Sequence, residues 1–253
     1  MKSGAEIKKI AKNCISIENH AISQLDSRID DNFVDIINVL LNTEGRLIIA
    51  AIGKSANIAN KMVATFNSTG QPSVFLHASD AIHGDLGNIQ DKYVVICVSK
   101  SGNTPEIKTL LPLIKNMNNI LIGMTGNLNS FLAKHSDFII DVSVDKEACP
   151  NNLAPTSSTT AQLVMGDALA ISLLACKNFT DKDFARFHPG GVLGKRLSVR
   201  IVDLLDGGCN PQVLPKDLIN TVIIEISKNR VGATAVLDHG DLKGIITDGD
   251  LRR

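Results

Sequence analysis

The sequence predicts an α/β protein: a three-layer αβα sandwich around a mainly parallel five-stranded sheet, followed by a small, truncated α+β tail. Three observations lead there. Short β-branched runs alternate with helix-period segments between residues 46 and 142. Those runs are apolar throughout rather than at every second residue, so both faces of the sheet need cover, which the helices of a parallel arrangement supply. Beyond residue 200 the pattern changes to turn residues, one helix and two strands.

Residues 4–42 open the chain with apolar side chains at three- and four-residue spacing, from Ile7, Ile10 and Cys14 to Ile36, Ile37 and Leu40. The charged stretch Ser27–Asp31 divides them into two amphipathic helices. Arg46–Ile52 is a buried strand and Ser55–Asn67 a helix capped by Ser55. Pro72–Leu76 and Tyr93–Val98 are strands, and Pro105–Lys115 is a helix with proline at its start. Ile120–Met124 and Phe138–Val142 are strands flanking a short helix, Ser130–Lys134. Thr159–Cys176 is the longest helical pattern, with so few charges that burial on most sides is expected. Asp206–Pro211 is a turn-rich break. The tail then reads as a helix (Pro215–Lys228) and two strands (Ala233–Leu237, Leu242–Thr247).

Composition narrows the function. Of 253 residues, 44% are apolar but only 4% aromatic, so the core is aliphatic. Lys+Arg and Asp+Glu both number 26. A neutral chain without aromatic platforms argues against nucleic acid as a partner. The five cysteines are scattered and never paired as CxxC, which excludes a disulfide framework or zinc site, and Cys97 and Cys176 read as small buried hydrophobes. No His/Asp/Glu cluster has metal spacing, so neither metal nor cofactor is expected. The N-terminus has no apolar signal region and no apolar run approaches the length of a membrane span, so a cytoplasmic protein without membrane partners is expected.

Four polar stretches carry the chemistry: Gly53-Lys54-Ser55, Ser99-Lys100-Ser101-Gly102-Asn103-Thr104, Thr156-Ser157-Ser158-Thr159-Thr160 and His188-Pro189-Gly190-Gly191. The first three stand at the starts of helices, where free backbone N–H groups bind anions. Lys54 faces a ligand at a strand's end or is a solvated loop lysine. Ser99–Thr104 is a phosphate cradle or an ordinary turn, with Glu106 just inside the next helix. Five consecutive hydroxyls exceed what one helix cap needs, so Thr156–Thr160 favours binding. Glu147 precedes that cluster, and His83 and His188 stand in rigid Gly- and Pro-containing turns. Glu, His and Lys together suit proton abstraction beside a carbonyl, the chemistry of an aldose–ketose isomerase acting on a sugar phosphate.

Seven segments occur together and in order: Ala51-Ile52-Gly53-Lys54-Ser55, His83-Gly84-Asp85-Leu86-Gly87, Ser99-Lys100-Ser101-Gly102, Lys146-Glu147-Ala148-Cys149-Pro150, Leu153–Thr160, Met165-Gly166-Asp167-Ala168-Leu169 and His188-Pro189-Gly190-Gly191. In these the chain resembles, over residues 5–253, the D-arabinose 5-phosphate isomerases, sugar-isomerase (SIS) domain enzymes with trailing cystathionine-β-synthase (CBS) motifs. The resemblance implies an SIS domain over 1–200, with N-terminal helices in 1–43, and a partial CBS motif over 201–253. It implies interconversion of D-ribulose 5-phosphate and D-arabinose 5-phosphate through an enediol(ate), feeding KDO and lipopolysaccharide synthesis. Lys54, Glu106, Glu147 and His188 match the family's catalytic residues, with either glutamate as carbon base. His83 matches a further active-site histidine. Ser55, Ser99, Ser101, Thr104, Thr156, Ser157, Ser158 and Thr159 fall to substrate binding. A homotetramer is implied, with room for His188 to act in a neighbouring subunit's site.

Three departures stand out. Ala56 replaces the usual glycine, and Asn103-Thr104-Pro105 replaces Glu-Ser-Ser in the second loop. The CBS portion is half a motif, ending with Thr247 and Asp250 of a Thr-x-x-Asp pattern, so no complete nucleotide site is expected. Rival readings are a non-catalytic phosphosugar-binding regulator, which would carry a helix-turn-helix or basic segment, and an isomerase of another sugar phosphate.

Overall fold

The computed structural model describes residues 2–191, 196–197, 200–204 and 209–252, so the first half of the predicted break at Asp206–Pro211 lies outside the described residues. The chain divides into two compact units, Met1–Gly194 and Lys195–Arg253.

In the first unit, helices α1 (Gly4–Ser23) and α2 (Asp31–Leu41) precede β1 (Leu47–Ala51), α3 (Lys54–Ser68), β2 (Ser73–His77) and α4 (Ala78–Ala81). They are followed by β3 (Val94–Ser99), α5 (Pro105–Asn116), β4 (Ile120–Thr125), α6 (Phe131–His135), β5 (Phe138–Asp141), α7 (Ser157–Cys176) and α8 (Asp181–Phe187). The five strands lie in the order β2-β1-β3-β4-β5, all parallel. Alternate strand residues separate into two cores. Leu47, Ile49, Ala51, Ile96 and Val98 pack with α2, α3 and α7, whereas Ile48, Ala50, Val95 and Cys97 pack with α4, α5 and α6. This is the three-layer arrangement expected from apolar strands. Each fully buried Leu or Ile contributes about 1.5–3 kcal/mol of transfer free energy.

The strand order reverses between β1 and β3. In a doubly wound sheet, the crevice outside the strands' carboxyl ends at that point is where ligands bind. The loops that leave β1 and β3 carry Lys54 and Ser99–Thr104.

Several local expectations are corrected. Helix α3 is capped by Gly53, whose φ of 65° lies in the left-handed region, and Ser55 falls inside the first turn. Helix α7 is buried or half-buried along most of its length but opens at its C-terminal end, where Ile171, Ala175 and Cys176 are exposed, so Cys176 is not a core residue, whereas Cys97 is. By length and composition α7 could cross a membrane, because small and hydroxylated residues keep a 20-residue helix apolar without an unbroken apolar run. Here it packs on α1, α2 and α3. Much of the apolar stripe of α1 is uncovered, with Ile7, Ile10 and Ile15 exposed. Helix α8 has a capping box between Thr180 and Asp183.

The second unit is α+β, as expected. It holds α9 (Ile201–Leu204), β6 (Gln212–Val213), α10 (Ile219–Asn229), β7 (Ala233–Asp238), β8 (Asp241–Thr247) and α11 (Asp248–Leu251). Strand β7 pairs parallel with β6 and antiparallel with β8. Helix α10 starts four residues later than predicted. Leu214 N donates to Asp217 Oδ2 (2.7 Å) and Asp217 N to Leu214 O (3.0 Å), which closes Pro215–Asp217 into a turn. His239 and Gly240 both have positive φ in the tight turn joining β7 to β8.

Candidate active site

Strand β1 ends at Ala51 and the chain turns at Gly53 into α3, leaving Lys54 exposed at the first helical position. Ser55 behind it is partly buried.

Strand β3 delivers the second loop. Ser99 is buried, and its hydroxyl accepts from Gly102 N at 3.1 Å. Gly102 has a φ of 62°, and a Cβ there would lie 2.2 Å from Ser130 Oγ, so both conformation and space require glycine. Asn103 Oδ1 accepts from Phe131 N at 3.0 Å, which stitches the loop to α6. Thr104 is the N-cap of α5 through its backbone. Its hydroxyl is buried and has no partner among the described residues. Pro105 takes the first helical position, and Glu106 follows in the first turn, partly exposed, with no side-chain hydrogen bond among the described residues.

Glu147 is the opposite case. It lies on the loop between β5 and α7 and is only 2% exposed. Its Oε1 accepts from Lys100 Nζ and from Ser158 Oγ, both at 2.5 Å. Its Oε2 accepts from Thr156 N (2.8 Å), Thr156 Oγ1 (3.1 Å) and Ser158 N (3.1 Å). The backbone is pinned too: Glu147 N donates to Asn152 Oδ1 (2.7 Å) and Ala148 N to Thr156 Oγ1 (2.8 Å). The carboxylate is therefore the anion at the positive end of α7. Burial alone would raise its pKa. The hydrogen bonds from Lys100 and Ser158, then those from the Thr156 and Ser158 backbone, outweigh burial and hold it at about 2.

The hydroxyl cluster is thus largely engaged inside the protein. Thr159 Oγ1 donates to Thr156 O (2.9 Å) and Thr160 Oγ1 to Glu18 Oε2 of α1 (3.0 Å). Ser157 Oγ is buried without a partner among the described residues. His83 follows α4 beyond the end of β2 and is exposed. Lys54, Ser55, His83, Ser99, Ser101, Thr104, Glu106, Glu147 and Thr156–Thr159 therefore all lie towards the edge of the sheet where the strands end.

The SIS domain family matches residues 40–172. Arabinose 5-phosphate isomerase KdsD of Pseudomonas aeruginosa is 49% identical over 96% of this chain and 75% of its own length. The chain belongs to the arabinose 5-phosphate isomerase family of SIS-domain proteins. KdsD of Escherichia coli K12 is 42% identical over all of this chain and 78% of its own length. A solved structure from E. coli CFT073, in complex with A5P, is 39% identical. It superposes with a TM-score of 0.72 over 74% of this chain and all of its own.

One residue that the family resemblance singled out lies elsewhere. His188 ends α8, with Nδ1 2.9 Å from Phe184 O and its ring stacked on Phe184 at 3.9 Å. Beside it Phe187 stacks on Phe179, and Phe179 lies against Gly70, in the turn that leads into β2. His188 therefore belongs to the edge where strands begin. The 20-residue α7, about 30 Å long, separates it from Glu147.

Two residues of this site escaped sequence reasoning. Lys100 holds Glu147, and Asn152, at φ 54°, holds the Glu147 backbone. An Asn in a Pro-Asn-Asn stretch was a legible turn signal. Lys100 sits inside the Ser99–Thr104 stretch that the sequence does mark, but nothing local singles it out as the partner of Glu147.

Proposed function

We propose that this chain interconverts D-ribulose 5-phosphate and D-arabinose 5-phosphate, with Glu106 as the carbon base. The observation that supports this assignment is the contrast between the two glutamates. Glu147 has both oxygens occupied by five donors and is a weak base. Glu106 has no such partners among the described residues and stands two residues beyond Thr104, in the first turn of α5.

In the forward direction Glu106 takes a proton from C1 of ribulose 5-phosphate. The C–H electron pair forms the C1–C2 double bond, and the ketone oxygen gains a proton or a charge-stabilising donor. Returning a proton to C2, while the C1 hydroxyl loses its own and becomes the aldehyde, completes the isomerisation. Lys54 and the Ser99–Thr104 loop bind the phosphate and the developing oxyanion, and His83 serves proton transfer between the hydroxyls or, in the reverse direction, opening of the arabinose 5-phosphate ring. Incubating the purified protein with ribulose 5-phosphate and assaying arabinose 5-phosphate tests the reading; no product would remove it.

His188 serves this chemistry from a second copy of the chain, in a homotetramer. The uncovered apolar stripe of α1 and the exposed part of α7 support such packing. Mixing inactive Glu106→Gln and His188→Ala proteins before assembly should then restore part of the activity. Mixtures as inactive as their components would place His188 outside the site.

The enzyme works in the cytoplasm and supplies KDO for lipopolysaccharide. The second unit is a CBS-like element in which Thr247 and Asp250 bond each other in a capping box at α11.

A further inference from the structure

The loop that carries Ser99–Thr104 and the loop that carries Glu147 are separate in sequence, and one side chain joins them. Lys100 Nζ lies 2.5 Å from Glu147 Oε1. The Glu147 side chain has no exposure, whereas the Lys100 side chain is 45% exposed, so the pair closes over the carboxylate from the solvent side. The Lys100 backbone is held as well, its carbonyl accepting from Gly126 N at 3.0 Å. Gly102 and Asn103 fasten the same loop to α6. Every other donor to Glu147 belongs to α7 or its N-cap. Among the described residues, Lys100 therefore makes the side-chain hydrogen bond that ties the Glu147–α7 cap to the loop leading to Thr104 and Glu106.

We propose that Lys100 is a positioning residue of the isomerase: anchored on Glu147, it fixes the Ser99–Thr104 loop, and through it Glu106, against the N-terminus of α7. The inference rests on the isomerase reading for its kinetic consequence, but the tie itself exists without substrate. Removing the ammonium leaves Glu147 with its α7 donors and leaves the loop held from the β4–α6 side alone, without its tie to the α7 cap. A base displaced by about 1 Å loses on the order of 100-fold in rate. A lysine that only bound phosphate would change KM instead.

The test compares Lys100→Met, Lys100→Arg, Glu147→Gln and the double variant Lys100→Met/Glu147→Gln. With ribulose 5-phosphate, Lys100→Met should lower kcat by about 10- to 100-fold with KM nearly unchanged, and Lys100→Arg should recover most of the loss. In the Glu147→Gln background the same substitution should cost clearly less, because the carboxylate charge that holds the ammonium is already gone. Amide exchange without substrate should quicken at residues 100–104 in Lys100→Met and stay unchanged in β1. A kcat within about twofold of the parent, a change in KM alone, or full additivity with Glu147→Gln would each overturn the proposal. If the parent protein does not convert ribulose 5-phosphate, the substrate reading fails. The exchange measurement then decides the tie alone, and unchanged exchange at residues 100–104 overturns it.

Discussion

Glu106 and Glu147 are the same residue type at comparable places, each beside the N-terminus of a helix on one edge of a parallel sheet, yet they are built for opposite tasks. Around Glu147, two backbone N–H groups, two hydroxyls and an ammonium converge on a buried carboxylate. Around Glu106 the described structure supplies only a rigid start, Thr104-Pro105, and access to solvent. A carboxylate near a ligand edge is thus part of the wall or part of the chemistry according to how many of its acceptor sites the fold has already used.

The largest effect is expected at Glu106. Replacing it with Gln should keep the fold and lower kcat by about 10²–10⁴-fold, as expected for loss of a general base. Turnover within tenfold of the parent would return Glu147 to contention. At Glu147 the expected effect is on folding first. Glu147→Ala leaves Lys100, Ser158 and the α7 N–H groups unpaired, so it should cost about 3–5 kcal/mol, read from urea or thermal unfolding. A loss below 1 kcal/mol would mean that the network is dispensable.

Acid sharpens the same contrast. The folded pKa of Glu147 lies below its ordinary 4.5, at about 2. Its contribution is therefore complete above pH 4.5 and lost as pH falls towards 2, by on the order of 3 kcal/mol. Unfolding curves between pH 5 and pH 2 should flatten in Glu147→Gln, and parallel curves would contradict the assignment. A smaller effect is expected at Gly102. Alanine there meets both the positive φ and the Ser130 hydroxyl, and should cost about 1–3 kcal/mol while loosening the loop that leads to Glu106.

Most of the fold was legible because its signals are local. Val94–Ser99 and Leu47–Ala51 are strands buried along their whole length, and an unbroken apolar run announces that without knowledge of the neighbours. The short helices were harder. Ala78–Ala81 is too short to show a period, although Thr180 and Asp183 at α8 did form a recognisable capping pattern. Burial was misjudged where a helix has two faces to account for. The apolar composition of α7 suggested cover for Cys176, and the stripe on α1 suggested cover for Ile10, but only packing tells which side of a helix meets another element.

The parallel α/β class, the family, and the placement of Lys54, Ser99–Thr104 and Glu106 where a strand gives way to a helix all follow from runs of adjacent residues, so the sequence alone suffices for them. Only the tertiary structure decided that Lys100 meets Glu147 across 47 positions, that the hydroxyls of Thr156 and Ser158 turn inward, and that His188 stands at the far edge of its own chain. Those outcomes depend on which loops the sheet order brings side by side, and on a buried charge gathering every donor within reach.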